Sequence, residues 1–418
     1  MSPVLPFEPR PKRPRRHGKP AIGFALAGGG PLGAVYEIGA LAALQESIEG
    51  LDVNDAEIYV GISAGGIIAS GLANGVTPYE MCRAFIESDV EPQDSDLPLF
   101  KPEMLMRPAL EEFVKRALML PGLVAASLYR YLRSRKTSLP DAFERLKEAL
   151  PTGLLSNDEI ERFLRATFAK QGRSNDFRRL QKKLVIVATD LDTGEAVRFG
   201  AKGYDDIPIS RAVQASASVP GLFPPVVING RHFVDGALRK TMHASIALEH
   251  GVDVLFCLNP IVPYDAHGAA AGAGGADSKL ANGGLVNVLS QALRAILHSR
   301  MEVGMGNYRR TYPDTDILLF QPAKQDSEMF FTNMFSYNNR RRMCEMSYQN
   351  TRMFLWEKRE EIGAKLARHG LRLKESVLRD TSLTLVKQPP SGRRDRLAVT
   401  WLNEVLDELD RYLKVENG

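Results

Sequence analysis

The chain of 418 residues contains few cysteines and, outside its first 20 residues, almost no net charge. Its three cysteines, Cys82, Cys257 and Cys344, are far apart and form no CxxC pair. An odd number of widely spaced cysteines argues against a disulfide framework and against structural zinc, and it fits a reducing cytoplasm. Hydrophobic residues make up 44% and charged residues 25% of the sequence, as in ordinary soluble domains.

The basic character of the chain is concentrated at its start. Residues 1–20 contain six Lys or Arg against Glu8 alone, whereas the rest of the chain holds 48 basic and 49 acidic residues. Because residues 21–418 are almost neutral, they give no support to nucleic-acid binding, which needs a clustered positive face. Six prolines in the first segment predict an extended, disordered arm, which either stays solvated or is attracted to anionic lipid.

Two segments imitate targeting signals. Residues 15–27 combine an arginine pair, a short apolar run and Ala-Leu-Ala, but cleavage there would separate this run from the glycine loop that follows it. Residues 58–79 carry no charge and are long enough for a membrane span, yet they contain five glycines. We interpret the second segment as a buried strand, a turn and a helix.

Short apolar runs alternate with longer helical stretches along the chain. The runs lie at residues 21–27, 58–60, 184–188, 252–258 and 316–320. This alternation predicts an α/β fold of three layers, in which helices cover a mostly parallel central sheet. We divide the chain into the arm (1–20), a main domain (21–325) and a C-terminal helical extension (326–418). The main domain includes a helical insertion (90–175) and a flexible loop rich in glycine and alanine (265–284).

The sequence Gly61-Ile62-Ser63-Ala64-Gly65 is a GxSxG motif between a predicted strand and a predicted helix. A sharp turn of this kind holds the central serine in a strained conformation with its hydroxyl accessible, and small residues two positions away avoid a collision. The motif alone is equally compatible with a tight glycine turn in which the serine is incidental.

A second glycine-rich turn, Gly28-Gly29-Gly30-Pro31-Leu32-Gly33, follows the first predicted strand and opens a helix. Its amide groups and the positive helix N-terminus favour an anion. The pattern also matches GxGxxG, but in a dinucleotide site the next strand would end in Asp or Glu, and here it ends in Gly61 and Ser63. Two neighbouring strands therefore deliver a hydroxyl and an anion-stabilising loop to one edge of the sheet, as acyl transfer requires.

A candidate base lies at the end of a predicted hairpin. Asn229-Gly230 between two apolar runs indicates a tight turn, and the return strand ends at Asp235. Because Gly236 and Ala237 are small, another group can approach this carboxylate closely, so Asp235 can accept the proton of Ser63. A turn-capping aspartate is the alternative.

Taken together, the three motifs resemble the patatin-like phospholipases, whose pattern is a glycine-rich oxyanion loop, GxSxG and DG[GA] in that order. Two further blocks are similar to that family, namely TDLDTGE at residues 189–195 and ASASVPGLFPP at residues 215–225. The resemblance covers residues 21–260. It does not place the arm or anything beyond residue 265.

The resemblance implies a lipid acyl hydrolase of the phospholipase A or lysophospholipase type that works through a Ser-Asp dyad and an acyl-enzyme intermediate. The implied site consists of the nucleophile Ser63, the base Asp235, an oxyanion hole at Gly28, Gly29, Gly30 and Gly33, elbow glycines Gly61 and Gly65, and a DGA motif completed by Gly236 and Ala237. One position departs from the family pattern, because the loop usually carries Arg or Lys where this chain has Leu32.

The resemblance implies no metal and no nucleotide cofactor. The partners it implies are a phospholipid or lysophospholipid substrate and a membrane that the protein contacts peripherally, without nucleic acid. We expect a cytoplasmic protein that acts at the inner surface of the membrane.

Three alternatives remain open at this point. A Ser-His-Asp triad of the α/β-hydrolase type would use His243, His250, His267, His298 or His369 as its base, although only one predicted strand precedes the strand of Ser63. A nucleotide-binding protein would use the Gly28–Gly33 loop. A catalytically silent protein with the same fold is suggested by Leu32.

The insertion contains one amphipathic segment between residues 107 and 136, where leucine, valine and tyrosine alternate with arginine and lysine. This pattern predicts a cap helix whose apolar side packs on the core. The alternative is an interfacial helix that lies on a bilayer and admits lipid to the site.

Overall fold

The computed structural model describes residues 19–86, 98, 100, 104, 107–133, 147, 149–265, 280, 284–326 and 337–386. Residues 1–383 form one compact unit and residues 384–418 a second. Nearly all of the second unit lies outside the described residues, and so do residues 1–18 of the predicted arm and most of the loop predicted at 265–284. All elements named below belong to the first unit.

An eight-stranded sheet forms the centre of this unit. The strands of the chain are β1 Ile22–Leu26, β2 Ile48–Glu49, β3 Ile58–Gly61, β4 Lys183–Asp190, β5 Ala196–Phe199, β6 Val226–Ile228, β7 Arg231–Asp235, β8 Val254–Leu258, β9 Asp316–Phe320 and β10 Arg372–Leu373. The sheet has the order β6-β7-β4-β3-β1-β8-β9 with β5 also paired to β4, whereas β2 and β10 form a separate small pair. Strands β4, β3, β1, β8 and β9 are parallel, and β5, β6 and β7 add antiparallel pairings.

Helices connect and cover these strands. They are α1 Gly30–Ser47, α2 Ala64–Ala73, α3 Pro78–Ile86, α4 Leu110–Arg133, α5 Asp158–Phe168, α6 Ile209–Ser216, α7 Ser245–His250, α8 Gly284–Thr311, α9 Tyr337–Glu357, α10 Arg359–Ala367 and α11 Glu375–Arg379. The expected fold class, a mostly parallel sheet between helical layers, is confirmed. The uncharged segment 58–79 folds as β3, a turn and α2. In the described part of the chain, no helix contains an apolar stretch long enough to cross a bilayer.

The two faces of the sheet bury different side chains because neighbours on a strand point to opposite sides. On one face an aromatic row crosses four strands through Tyr59, Phe24, Phe256 and Phe320, with ring centroids 5.2–6.4 Å apart, and Phe354 of α9 extends it. On the other face, smaller apolar residues of the same strands form a core with residues of α7 and α8. Aromatic pairs at these separations add to the stability that burial provides.

Helix α9 packs directly on α1. Gly39 permits this contact, since a Cβ atom at that position would lie 2.4 Å from the carbonyl oxygen of Cys344, and Ser347 Oγ donates to the Tyr36 carbonyl at 2.6 Å. Both helices lie in the unit that continues to Leu383. The boundary placed at residues 325/326 therefore stays a prediction about sequence organisation, and it does not coincide with the end of the compact unit.

Helix α4 differs from the expected cap helix. Several of its leucine and valine side chains, among them Leu110, Val114, Leu118 and Leu128, face solvent, and the stripe that faces the protein contains Glu112, Arg116 and Ser127. The Glu112 carboxylate accepts the Thr152 hydroxyl, which holds this side of α4 toward the protein.

The close packing of α1 on α9 predicts that Gly39→Ala destabilises the protein. The added methyl group would collide with backbone atoms, so we expect a loss of about 1–3 kcal/mol in the free energy of unfolding, measured by urea denaturation. Gly306→Ala is the matched control, because a Cβ atom there meets nothing within 4 Å. It should be neutral or stabilising by up to about 1 kcal/mol, and equal effects of both changes would contradict the prediction.

Candidate active site

Ser63 stands at the turn between β3 and α2, and its backbone has the strained values φ 54° and ψ −124°. The turn closes only because its neighbours are glycines. A Cβ atom on Gly65 would lie 2.4 Å from the Ala27 carbonyl oxygen, and one on Gly61 would lie 2.6 Å from the Gly65 carbonyl oxygen. The structure thus places Gly61 and Gly65 where the motif predicts a nucleophile elbow.

The glycine loop after β1 lies against Ser63. A Cβ atom on Gly28 would be 3.0 Å from Ser63 Cβ, so this position has no room for a side chain. Gly29 and Gly30 have positive φ values of 135° and 62°. In the described part of the chain, no acceptor is found for the amides of Gly28, Gly29 and Gly30. The Gly33 amide, in contrast, donates to the Gly29 carbonyl at 3.1 Å, so Gly33 supports the loop and its N–H is not a free donor.

The register of the sheet brings Asp235 to the level of Ser63. Gly61 of β3 pairs with Ile186 of β4, and two residues further along β4, Ala188 pairs with Asp235 of β7. Ser63 is likewise two residues beyond Gly61, so Ser63 and Asp235 flank the same position of β4. Asp235 Oδ1 accepts the Ala237 amide at 2.8 Å, and the nearby Ser63 hydroxyl acts to lower the pKa of this carboxyl group.

The Ser63–Asp235 pair is buried, with 4% of each residue exposed. Burial raises the pKa of Asp235 from 3.8 to about 6, although the hydrogen bonds from the Ala237 amide and Ser63 act in the opposite direction. Gly236 permits the close contact with β4, because a Cβ atom there would lie 2.2 Å from the Val187 carbonyl oxygen. The carboxylate is therefore a stronger base than an exposed aspartate while remaining ionised at neutral pH.

Two buried serines in the ASASVP block connect Ser63 to Asp235, a role that the motif analysis missed. Ser216 Oγ accepts the Ser63 amide at 2.8 Å and donates to the Val187 carbonyl at 2.6 Å. The Ser218 carbonyl accepts the Asp235 amide at 2.9 Å. The block was visible in the sequence, but hydrogen bonds over 153 residues have no local signal. One consequence is that the Ser63 amide is engaged, whereas the amide of Ala64 has no acceptor in the described part of the chain.

A second buried carboxyl group lies behind the glycine loop. Glu37 of α1 is fully buried next to the backbone of Ala27, and neither of its carboxylate oxygens has a hydrogen-bond partner among the described residues. Burial raises the pKa of Glu37 well above its ordinary value. The neutral form is therefore favoured, and it adds no negative charge beside a loop that is suited to an anion.

The TDLDTGE block forms the turn between β4 and β5. The buried Asp190 carboxylate accepts the amides of Asp192 at 2.9 Å and Thr193 at 3.1 Å and pairs with Arg231. Although burial acts to raise the pKa of Asp190, the Thr193 amide and Arg231 hold it below its ordinary value. This block stabilises the strands that carry Asp235 and does not reach Ser63.

The candidate triad histidines are engaged elsewhere. The His243 ring donates to the Gly236 carbonyl, and burial lowers its pKa to about 3. The rings of His250, His298 and His369 lie 3.6, 3.1 and 2.7 Å from Glu57, Glu302 and Asp316, respectively. His267 lies outside the described residues. Within the described ranges, no three His, Cys, Asp or Glu side chains are arranged to hold a metal ion.

Comparison with known proteins links the chain to one family. A sequence model described as patatin-like phospholipase matches residues 24–248, which is more than half of the chain. The probable lipid hydrolase 463L of Invertebrate iridescent virus 6 is 25% identical over 224 residues. This match covers 53% of the present chain and 62% of the viral protein, so the chain spans less than two thirds of that relative.

Two solved structures are also similar. VipD from Legionella pneumophila aligns over 83% of this chain and 68% of its own length, with 15% identity and a TM-score of 0.38. The type III effector ExoU of Pseudomonas aeruginosa aligns over 80% of this chain and 52% of its own, with 15% identity and a TM-score of 0.31.

The Ser216 bridge predicts that Ser216→Ala impairs the site more than the overall fold. The change leaves the Ser63 amide and the Val187 carbonyl buried without a partner, which costs on the order of 1–3 kcal/mol in unfolding free energy. We expect kcat for ester hydrolysis to fall by about 10–100-fold with KM nearly unchanged, because the elbow loses its fixed geometry. Ser70→Ala is the control, since that buried hydroxyl bonds only to its own helix at Ile67. A loss of stability with unaltered kcat would contradict the positioning role.

The raised pKa of Asp235 predicts that this residue destabilises the fold as pH rises. The unfolded carboxyl ionises near 3.8 and the folded one near 6, so the native state binds the proton more tightly. The stability that this group contributes is fully present below pH 3.8. It decreases between pH 3.8 and about pH 6 and is lost at higher pH. Asp235→Asn should therefore be more stable than the parent by up to about 3 kcal/mol near pH 7.5 and similar to it near pH 4. Urea unfolding at both pH values checks this, and a difference that is independent of pH would refute it.

Proposed function

Since this chain belongs to the patatin-like phospholipase family, we propose that it hydrolyses fatty-acyl esters of glycerophospholipids or lysophospholipids with Ser63 as nucleophile and Asp235 as base. The observation that carries the proposal is that the sheet register brings the strained, buried Ser63 to the level of the buried Asp235 carboxyl group, beside the glycine loop. The name of the viral relative, a probable lipid hydrolase, supports the same substrate class. We place this activity in the cytoplasm, at the inner surface of a membrane.

In the first half of the proposed reaction, Asp235 takes the Ser63 proton while Ser63 Oγ attacks the ester carbonyl carbon. The new Oγ–C bond converts the carbonyl into a tetrahedral oxyanion. When the oxyanion collapses, the bond to the alcohol breaks, and protonated Asp235 returns the proton to the departing oxygen. An ester of Ser63 with the fatty acid remains, and the lysophospholipid or glycerophospho-alcohol leaves.

In the second half, Asp235 takes a proton from water, which attacks the Ser63 ester and forms a second oxyanion. Its collapse releases the fatty acid and returns the proton to Ser63. A pKa of about 6 suits both directions of this transfer, because the carboxylate is ionised near neutral pH and yet basic enough to share the proton. The steps use only groups of the protein and water.

The free amides of Gly28, Gly29 and Gly30 and the amide of Ala64 are the donors that we assign to the oxyanion. Each donor of this kind contributes about 3–4 kcal/mol to transition-state stabilisation when it is aimed at the developing charge. The N-terminus of α1 adds positive potential at the same place. Because Leu32 is buried in the first turn of α1, that position supplies no cation, and the stabilisation is assigned to amides and the helix dipole.

The alternatives receive less support from the structure. A triad needs a histidine on Ser63, and the described candidates contact Gly236, Glu57, Glu302 and Asp316 instead. A dinucleotide site needs an acid at the end of β3, where the chain has Gly61. A catalytically inactive protein would not be expected to keep a strained serine next to a buried carboxyl group, because such strain is unfavourable unless function requires it.

The proposal is tested by labelling with a fluorophosphonate probe and by mass spectrometry of the products formed from a lysophospholipid. The parent protein should be labelled and should release fatty acid, and Ser63→Ala should lose both properties. In Asp235→Asn the rate of hydrolysis should fall by on the order of 10³-fold or more. Ser70→Ala again serves as the buried-serine control and should behave as the parent does.

Substitution of the histidines separates the dyad from a triad. His243→Asn, His250→Asn, His267→Asn, His298→Asn and His369→Asn, each made singly, should retain turnover within about tenfold of the parent. A histidine variant that remains folded and is as inactive as Asp235→Asn would replace the dyad by a triad. A folded parent protein that neither reacts with the probe nor cleaves any acyl ester would refute the proposed function.

A further inference from the structure

Helix α4 has a continuous apolar stripe on its solvent side. Leu110, Val114, Leu118 and Leu128 are 65%, 57%, 77% and 48% exposed, and at 100° per residue they lie on one side of the helix. Ala117, Pro121 and Ala125 lie on the same side and are also exposed. The residues named here form what we call the α4 stripe.

The opposite side of α4 faces the protein and is polar at several positions. Ser127 is 1% exposed, and Glu112 accepts hydrogen bonds from Arg116 at 2.8 Å and from the Thr152 hydroxyl at 2.9 Å. A surface helix of a soluble domain normally buries its apolar side and hydrates its polar side. The orientation of α4 is the reverse, and an apolar surface of this extent on a soluble protein marks an interaction site.

Exposed leucines also lie in the loops next to the N-terminal end of α4. They are Leu150, Leu154 and Leu222, which are 68%, 55% and 41% exposed. The Ala109 amide donates to the Leu154 carbonyl at 3.1 Å, and the Leu154 amide donates to the Leu222 carbonyl at 3.0 Å.

Leu222 belongs to the same segment as Ser218, whose carbonyl accepts the Asp235 amide. A short series of backbone hydrogen bonds therefore connects the N-terminal end of α4 with the segment that binds Asp235.

Charge favours a lipid surface as the occupant. The sequence of α4 contains four basic and two acidic residues, and the pairing of Arg116 with Glu112 on the protein side leaves Lys115, Arg130 and Arg133 against Glu111. Lys115 is exposed beside the stripe. An amphipathic helix with cations beside its apolar side lies in the interface of an anionic bilayer, with apolar side chains among the acyl chains and cations at the head groups.

We propose that the α4 stripe, together with Leu150, Leu154 and Leu222, is the surface with which this protein lies on an anionic phospholipid bilayer. The inference rests on the proposed function, because the bilayer supplies both the contact and the substrate. Contact at this end of α4 places lipid next to the segment 218–222, which leads to the buried Ser63–Asp235 pair. An acyl ester then moves from the bilayer to the site without crossing water.

Vesicle sedimentation tests the surface separately from catalysis. In a Ser63→Ala background, binding is measured to phosphatidylcholine vesicles with and without phosphatidylserine. We expect binding that is stronger with phosphatidylserine, and we expect Leu118→Glu/Leu128→Glu to weaken it by about tenfold or more, because two apolar side chains lose their burial. Leu191→Glu/Met353→Glu is the matched control, since both residues are exposed outside α4. This control should bind as the parent does.

Hydrolysis with Ser63 intact distinguishes the two proposals. Leu118→Glu/Leu128→Glu should keep its kcat/KM on a soluble short-chain ester and lose activity on vesicles by the same factor as binding. If no ester is cleaved, the proposed function fails while the vesicle experiment still decides the surface.

Three results would contradict the proposed contact with the bilayer. The first is a parent protein that binds neither kind of vesicle, and the second is equal binding by both glutamate double variants. The third result is a dimer in solution that Leu118→Glu/Leu128→Glu dissociates and the control variant does not. The last result would assign the α4 stripe to a second copy of the chain.

Discussion

The carbonyl group of Val187 is the point on which the geometry of the site depends. It accepts the Ser216 hydroxyl, which accepts the Ser63 amide, and it lies against Gly236, the residue after Asp235. The positions of Ser63 and Asp235 thus both depend on one carbonyl group of β4, the strand between them in the sheet. A change in the path of β4 would move both groups together, whereas a larger residue at position 236 would separate them.

The same burial that makes Asp235 a useful base works against stability. Desolvation raises the pKa of Asp235 to about 6 and that of Glu37 well above its usual range, so both groups oppose folding when they are ionised. A buried carboxyl group that the proposed reaction does not use can instead be stabilised in its ionised form by partners. Asp190, for example, is buried with two amides and Arg231 as partners, and its pKa is held low. Asp235, in contrast, is buried and has to ionise in the proposed reaction.

The sequence was sufficient to predict the elements whose determinants are local. Apolar runs indicated the parallel strands, and Asn229-Gly230 indicated the hairpin, where both residues adopt positive φ. A side chain at Gly28, Gly61 or Gly65 would collide with backbone or with Ser63, and Gly29 and Gly30 have positive φ values. Contacts between distant segments could not be predicted. Ser216 meets Ser63 across 153 residues, and periodicity showed that α4 is amphipathic without showing which side faces the protein.

In the proposed reaction, Leu32 changes the way in which the oxyanion would be stabilised. A cation at this position would have to be buried in the first turn of α1, where Leu32 is 5% exposed, and Glu37 in the same helix favours its neutral form. The first turn of α1 therefore supplies no cation to the loop. Fixed amides and the helix dipole remain, and in a buried site they are screened by salt far less than a surface cation would be. An exposed cation in the loop would exert a field that depends on ionic strength, whereas the present arrangement makes attack on an ester depend on the precise direction of a few N–H groups.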